Sequence, residues 1–143
     1  MKTKVYIAAP FFSPEQLLKV QEIEKHLAKN EIDFYSPRSE GVLDEMEQED
    51  KMNSRKRIYE TNIKRMDECT HMVAWLDDRD TGTIFEVGYF TAQKKPVVQY
   101  YEDLSNVSVM LSEGAFAICS LVRAIQSSLN GTYNDYEKIG DTQ

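Results

Sequence analysis

Two carboxylates frame the stretch with the most chemical content, Asp80-Thr81-Gly82-Thr83-Ile84-Phe85-Glu86-Val87-Gly88. It follows an apolar run, Met72-Val73-Ala74-Trp75-Leu76, that ends in the acids Asp77-Asp78, a pattern predicting a strand that empties into a helix. In open α/β sheets ligands bind beyond the carboxyl ends of the strands, so a carboxylate in the first turn of that helix faces the crevice. Gly82 and Gly88 would let a ligand approach the backbone closely. The same spacing has a purely structural reading. Thr83 as N-cap with Glu86 three residues on makes a capping box, and spacing alone favours the box. Asp80 before Gly82 is equally a turn residue. At a helix N-terminus Glu86 would also feel the dipole, which favours its ionised form.

Positioning that stretch takes a sheet, and the chain alternates strand and helix signals throughout. Residues 4–9 are β-rich and stop at Pro10; Ser13-Pro14-Glu15-Gln16 then reads as N-cap, N1 proline and N3 glutamine. The helix from Pro14 carries Leu17, Val20, Ile23 and Leu27 on one face, and a short strand follows at 32–35. Residues 36–49 have no clear period and read as an active-site loop with a helical turn. A helix at 53–68, with Ile58, Ile63 and Met66, leads to a strand at 71–76. A helix at 83–93, a strand at 96–100, a short helix at 107–111, a strand at 116–118 and a last helix to 129 complete the series. Such alternation predicts an α/β fold: a single doubly wound domain, residues 1–130, whose five-stranded parallel sheet has helices on both faces. The polar tail, 131–143, is expected to be mobile or docked on a neighbour.

Composition narrows the function. At 143 residues the chain is about one domain, and 24 acids against 17 bases give a net charge of -7, which argues against a nucleic-acid polymer as partner. The basic cluster from Lys51 to Lys56 is flanked by acids, and Arg55 to Arg57 read as a solvated helix face. No apolar run approaches 20 residues and Val5 to Ala9 is far too short for a charged-then-apolar leader, so a cytoplasmic protein with no membrane partner is expected. Cys69 and Cys119 read as packing residues, and neither they nor His26 and His71 form a metal-site pattern; no metal and no cofactor are expected. A receiver domain would need its acid pair after the first strand, where this chain has Ala8-Ala9-Pro10. Neither a Gly-x-Gly-x-x-Gly after that strand nor a P-loop is present.

The strand ends resemble the nucleoside 2-deoxyribosyltransferase family. The resemblance begins with Val5-Tyr6-Ile7-Ala8-Ala9-Pro10-Phe11-Phe12 and continues through Tyr59-Glu60-Thr61-Asn62-Ile63 to Leu76-Asp77. It then takes in Asp80-x-Gly82-x-x-x-Glu86-x-Gly88 and Lys95-Pro96-Val97-Val98, and fades after Ser108-Val109-Met110-Leu111. Each motif is weak alone; four in order on the right strand ends are specific. The resemblance implies a flavodoxin-like domain, small-molecule nucleosides or nucleotides and free nucleobases as partners, and a homo-oligomer with shared active sites.

Carried over residue by residue, the resemblance makes Glu86 the nucleophile, Tyr6 the hydroxyl that orients it, and Asp80 a contact to the base. Ala9, Pro10, Phe11, Asn62, Gly82, Ser108 and Met110 become substrate-binding residues. Breaking an N-glycosidic bond develops oxocarbenium character at C1′, which a facing carboxylate stabilises and traps covalently. The activity implied is transfer of 2-deoxyribose between nucleobases. Two alternatives stand beside it: an N-glycosidase hydrolysing 2′-deoxynucleosides or their 5′-monophosphates, and a catalytically weak nucleotide-binding domain. Asn62 stands where the family usually has an aspartate. Ser108 stands where transferases tend to have asparagine, and looks like the phosphate-contacting serine of the related monophosphate N-glycosidases. The first loop offers no cation to a phosphate, and Arg38 is the nearby alternative.

Overall fold

The computed structural model describes residues 2–40 and 48–139. In chain order it contains β1 (Lys4–Ala8), α1 (Pro14–Lys29), β2 (Asp33–Tyr35), α2 (Gln48–Glu68), β3 (His71–Trp75), α3 (Thr81–Ala92), β4 (Val97–Tyr100), α4 (Val109–Ser112), β5 (Ala117–Cys119) and α5 (Ile125–Leu129). All strands are parallel, in the order β2-β1-β3-β4-β5. This is the doubly wound arrangement expected from the alternation. Its order reverses between β1 and β3, and a crevice opens beyond the strand ends at such a reversal.

Side-chain parity along the strands decides which residues reach that crevice. Val5 and Ile7 pack with Ile23 and Leu27 of α1 and with Ile125 and Leu129 of α5. Tyr6 and Ala8, pointing the other way, join Met66 of α2 with Val87 and Phe90 of α3. β3 repeats the split, with Val73 and Trp75 on the α1 side and Met72 and Ala74 on the α3 side. Period-2 alternation thus gives the sheet two buried faces, and it aims Tyr6 at α3.

The helix ends are held by specific groups. At α1 the predicted capping box is present: Gln16 N–H donates to Ser13 Oγ at 3.1 Å, and Gln16 Oε1 accepts from Ser13 N–H at 3.2 Å. The last turn of α2 and the residue after it are held by Lys95, whose ammonium donates to the carbonyls of Met66, Asp67 and Cys69 at 2.8, 3.2 and 3.0 Å. These C-terminal carbonyls have no intrahelical donor, so a cation there satisfies them and complements the dipole.

Several boundaries differ from the sequence expectation. α2 begins at Gln48 rather than 53; of the expected active-site loop, Pro37–Glu40 is a 3-10 turn and 41–47 lie outside the described residues. β5 is shifted by one residue, to Ala117–Cys119. Of the expected tail, residues up to 139 pack on their own chain, and 140–143 lie outside the described residues. Asn134 Oδ1 accepts from Ile118 N–H at 2.9 Å, Asp135 N–H donates to Ile118 O at 2.8 Å, and Ile139 is buried in the α3-side core. β5 is an edge strand whose backbone groups need partners, and this segment supplies them.

Candidate active site

Glu86 and Tyr6 meet where the strand order reverses. Parity turns Tyr6 toward α3, and its hydroxyl donates to Glu86 Oε2 at 2.5 Å. The Tyr6 side chain is fully buried, with the Tyr35 ring 5.8 Å away between centroids. Because Oε2 takes that bond, Oε1 is the oxygen free of it.

The capping-box expectation for Thr83 and Glu86 is corrected. α3 starts at Thr81 and its N-cap is Asp80, whose Oδ2 accepts from both the Thr83 N–H and the Thr83 hydroxyl at 2.9 Å. Aspartate caps at least as well as threonine, and with Asp80 in that position Glu86 is the sixth residue of the helix, too far in to close a box. The electrostatic expectation changes with it. The helix dipole acts within the first turn, so burial dominates, and it pushes the Glu86 carboxyl up to about 7. The Tyr6 bond pulls it down and the Asp80 charge pushes it up further. Burial and the neighbouring carboxylate raise the Tyr6 phenol above its ordinary range, so Tyr6 stays a donor.

A cavity of about 510 Å³ opens above this pair, within the ordinary range for small-ligand sites. Asp80, Gly82, Thr83 and Glu86 form one side of it. The loop after β1 supplies Ala9, Phe11 and Phe12, the two rings 4.7 Å apart. α2 supplies a stripe at helical spacing, Arg55, Ile58, Tyr59, Asn62, Ile63 and Met66, and Pro37 completes the rim. Tyr59 also meets Phe85 of α3 at 6.3 Å between rings. The wall is thus aromatic on both sides with few polar groups, a composition suited to a flat heterocycle.

Of the residues singled out in the sequence, Glu86, Asp80, Asn62, Ala9, Phe11 and Gly82 line this cavity, and Tyr6 reaches it through Glu86. Pro10 is buried and does not line it. Ser108 and Met110 lie on the far side of the sheet order, at α4, and do not line this cavity in their own chain; Met110 is 89% exposed. Gly88 is exposed and away from the cavity, so it serves no backbone approach there. Arg38 is occupied, its guanidinium donating to both carboxylate oxygens of Glu24 at 2.7 and 2.6 Å. The cation that does line the cavity is Arg55, which the sequence reading assigned to a solvated face. Counting back from Asn62 by seven, two helical turns, would have found it. Asn62 Oδ1 lies 3.5 Å from the Tyr35 hydroxyl, too long to fix its orientation, while Glu60 points outward to within 4.0 Å of Lys56.

Residues 5–135 match the sequence profile of the nucleoside 2-deoxyribosyltransferase family. The chain belongs to that family. A Thermofilum pendens protein provisionally named 2′-deoxynucleoside 5′-phosphate N-hydrolase 1 is 29% identical over 110 residues, which cover 76% of each chain. Among solved structures, the 2-deoxyribosyltransferase of Bacillus psychrosaccharolyticus superposes with a TM-score of 0.76 at 20% identity, over 96% of both chains. The CMP N-glycosidase of Clostridium botulinum gives 0.51 at 14% identity, over 90% of this chain and 98% of that one. At these identities the two structures establish a shared fold. Family members are glycosyl transferases and N-hydrolases that act on small nucleosides and nucleobases. Among the described residues no group of three His, Cys, Asp or Glu side chains is placed to hold a metal ion, and no helix is long and apolar enough to cross a membrane.

Proposed function

We propose that this protein transfers 2-deoxyribose between nucleobases through a covalent ester on Glu86. The observation that carries the reading is the Tyr6-to-Glu86 hydrogen bond beneath an aromatic-walled cavity, because it aims one carboxylate oxygen and leaves the other for C1′. In the first half-reaction Oε1 bonds to C1′ as the C1′–N bond breaks; the base departs with the electron pair and gains a proton. In the second, a ring nitrogen of the incoming base bonds to C1′, the ester C–O bond breaks, and that base loses its proton. Two inversions give net retention. Asp80 and Asn62 line the same cavity and are assigned to the base, with Asp80 Oδ1, which takes no part in the cap, the atom available for proton traffic.

Hydrolysis is the second reading, favoured by Ser108 and by the name of the Thermofilum relative, with water replacing the incoming base. One incubation distinguishes the readings: 2′-deoxyinosine with free adenine, followed by chromatography and by intact mass of the protein. Appearance of deoxyadenosine, with a deoxyribosyl adduct that Glu86→Gln abolishes, supports transfer. Deoxyribose release without exchange supports hydrolysis. Unchanged nucleoside supports a binding domain.

A further inference from the structure

We infer that Arg55 is a specificity-determining residue that selects nucleobases carrying an oxo group and a ring-nitrogen acceptor on one edge, the 6-oxopurines, over 6-aminopurines. The inference rests on the assignment of the cavity to a deoxynucleoside. Its starting point is the stripe on α2, in which Arg55, Tyr59, Asn62 and Met66 recur every three or four residues along one wall. Met66 is buried and Arg55 is exposed, so the stripe runs from the deep end of the cavity to its mouth. With C1′ beside Glu86 and the base against Asn62, the distal edge of the base points along this stripe toward Arg55. At 1.5 Å per residue, the seven residues from Asn62 to Arg55 span about 10 Å, a distance that a fused two-ring base and a folded-back arginine bridge together better than a single ring does.

Charge and hydrogen-bond type decide what that edge must be. Arg55 is the one cation lining the cavity among the described residues, and no ion-pair partner holds it there, whereas Arg38 and Arg65 are taken by Glu24 and Glu68. A guanidinium has five donors and no acceptor. It therefore pairs with the O6 and N7 acceptors of hypoxanthine or guanine as a fork, and it meets the N6 amino group of adenine donor to donor. Tyr59 and Phe85 flank the same end of the cavity and would hold the ring flat while its edge is read.

The test measures, by calorimetry, the affinities of 2′-deoxyinosine and 2′-deoxyadenosine for the wild type, Arg55→Ala and Arg55→Lys, with base exchange assayed in parallel. The wild type is expected to favour deoxyinosine, and Arg55→Ala to lower the inosine-to-adenosine affinity ratio by about five- to tenfold, as befits a pair at an exposed cavity mouth. Arg55→Lys, a charge without the fork, should recover only part of the ratio. A ratio unchanged in Arg55→Ala overturns the inference even if exchange proceeds. So does a loss that appears only with the 5′-monophosphates, since it would place the phosphate at Arg55. Binding with the expected ratio but no exchange leaves the inference standing and removes the transferase reading. Failure of both nucleosides to bind the wild type removes both.

Discussion

Tyr6 and Glu86 stand 80 residues apart in the chain and 2.5 Å apart in the fold. β1 supplies the hydroxyl by strand parity, and α3 supplies the carboxylate from its second turn. Burial lifts that carboxyl to about 7 from its ordinary value of 4.5, which gives it two measurable consequences. A nucleophile must be ionised, so kcat/KM should rise with pH and level off above about 7, falling about tenfold per unit below it. A profile that falls through the same range would assign Glu86 to proton donation instead. Stability should run the opposite way. Between pH 4.5 and about 7 the native state holds a proton that the unfolded state has released, so stability declines as pH rises through this window. Glu86→Gln, which can still accept from Tyr6, should abolish turnover and be more stable than the wild type at pH 8, by up to about 3 kcal/mol. Below about pH 4 denaturant melts of the two should coincide.

Tyr6→Phe isolates the hydroxyl. The bond it donates pulls the Glu86 carboxyl down, so its loss should move the rising limb of the rate profile to higher pH. At neutral pH the rate should drop about ten- to hundredfold, the range for a hydrogen bond to a charged group of about 1.5–3 kcal/mol. Titration of kcat/KM checks it: an equal loss at every pH, with the limb unmoved, would mean that Tyr6 positions Glu86 without tuning it.

Asp80 carries two roles that substitution can separate. Asparagine keeps the cap and removes the charge; alanine removes both. Asp80→Ala should cost about 0.5–2 kcal/mol of stability and Asp80→Asn a few tenths. Both should lower the Glu86 pKa, because the Asp80 charge holds it up. If Asp80→Asn retains full exchange activity, Asp80 is a cap with no part in proton transfer.

The strand and helix series was legible because each strand is an apolar run closed by a turn signal, and because the Ser13 to Gln16 box has a fixed spacing. Tyr6, Asp80 and Glu86 were legible through motif order. What the spacing hid was the choice between two adjacent capping residues, Asp80 and Thr83, which both fit a helix start and differ only in where the first turn closes. That choice moved Glu86 out of reach of the helix terminus and reversed the expected direction of its pKa. Arg55 was hidden for another reason. An exposed arginine on a charged helix looks solvated in sequence; spacing puts it on the side of Asn62 and Met66, but only the packing of α2 over the cavity shows that this side is a cavity wall. The fate of residues 130–139 depended on the unpaired edge of β5, a property of the assembled sheet.

Asn62 offers a gain-of-function test. An amide can hydrogen-bond a base edge but has no matched acidity for moving a proton. Asn62→Asp should raise the exchange rate by up to about 10²-fold if proton delivery to the departing base limits it. A rate that is unchanged or lower in steady-state assays would mean that another cavity group, Asp80 first, already supplies the proton.

Assembly is the remaining test, and it turns on α4. Val109 and Met110 are 57% and 89% exposed, and Ser108, the N-cap residue of this helix, makes no side-chain capping bond. An apolar pair held out on a four-residue helix gains nothing from its own core, and contiguous exposed apolar surface marks interfaces. The segment is also held firmly in place. Asp77, at the end of β3, accepts from the N–H groups of Glu102 and Asp103 at 2.6 and 2.9 Å and from the Asn106 amide at 3.1 Å, which fixes the approach to α4. The expectation is a homo-oligomer in which Ser108 and Met110 enter a neighbouring chain's cavity, since they do not line the one in their own chain. Met110→Glu should shift the sedimentation profile toward monomer and lower activity in the same proportion, with the fold retained by circular dichroism. A wild-type protein that sediments as a fully active monomer would end the shared-site reading. In an oligomer, Ser108→Ala assigns the serine: a loss confined to 5′-phosphorylated substrates favours the hydrolase, because a hydroxyl that contacts phosphate contributes only to substrates that carry one.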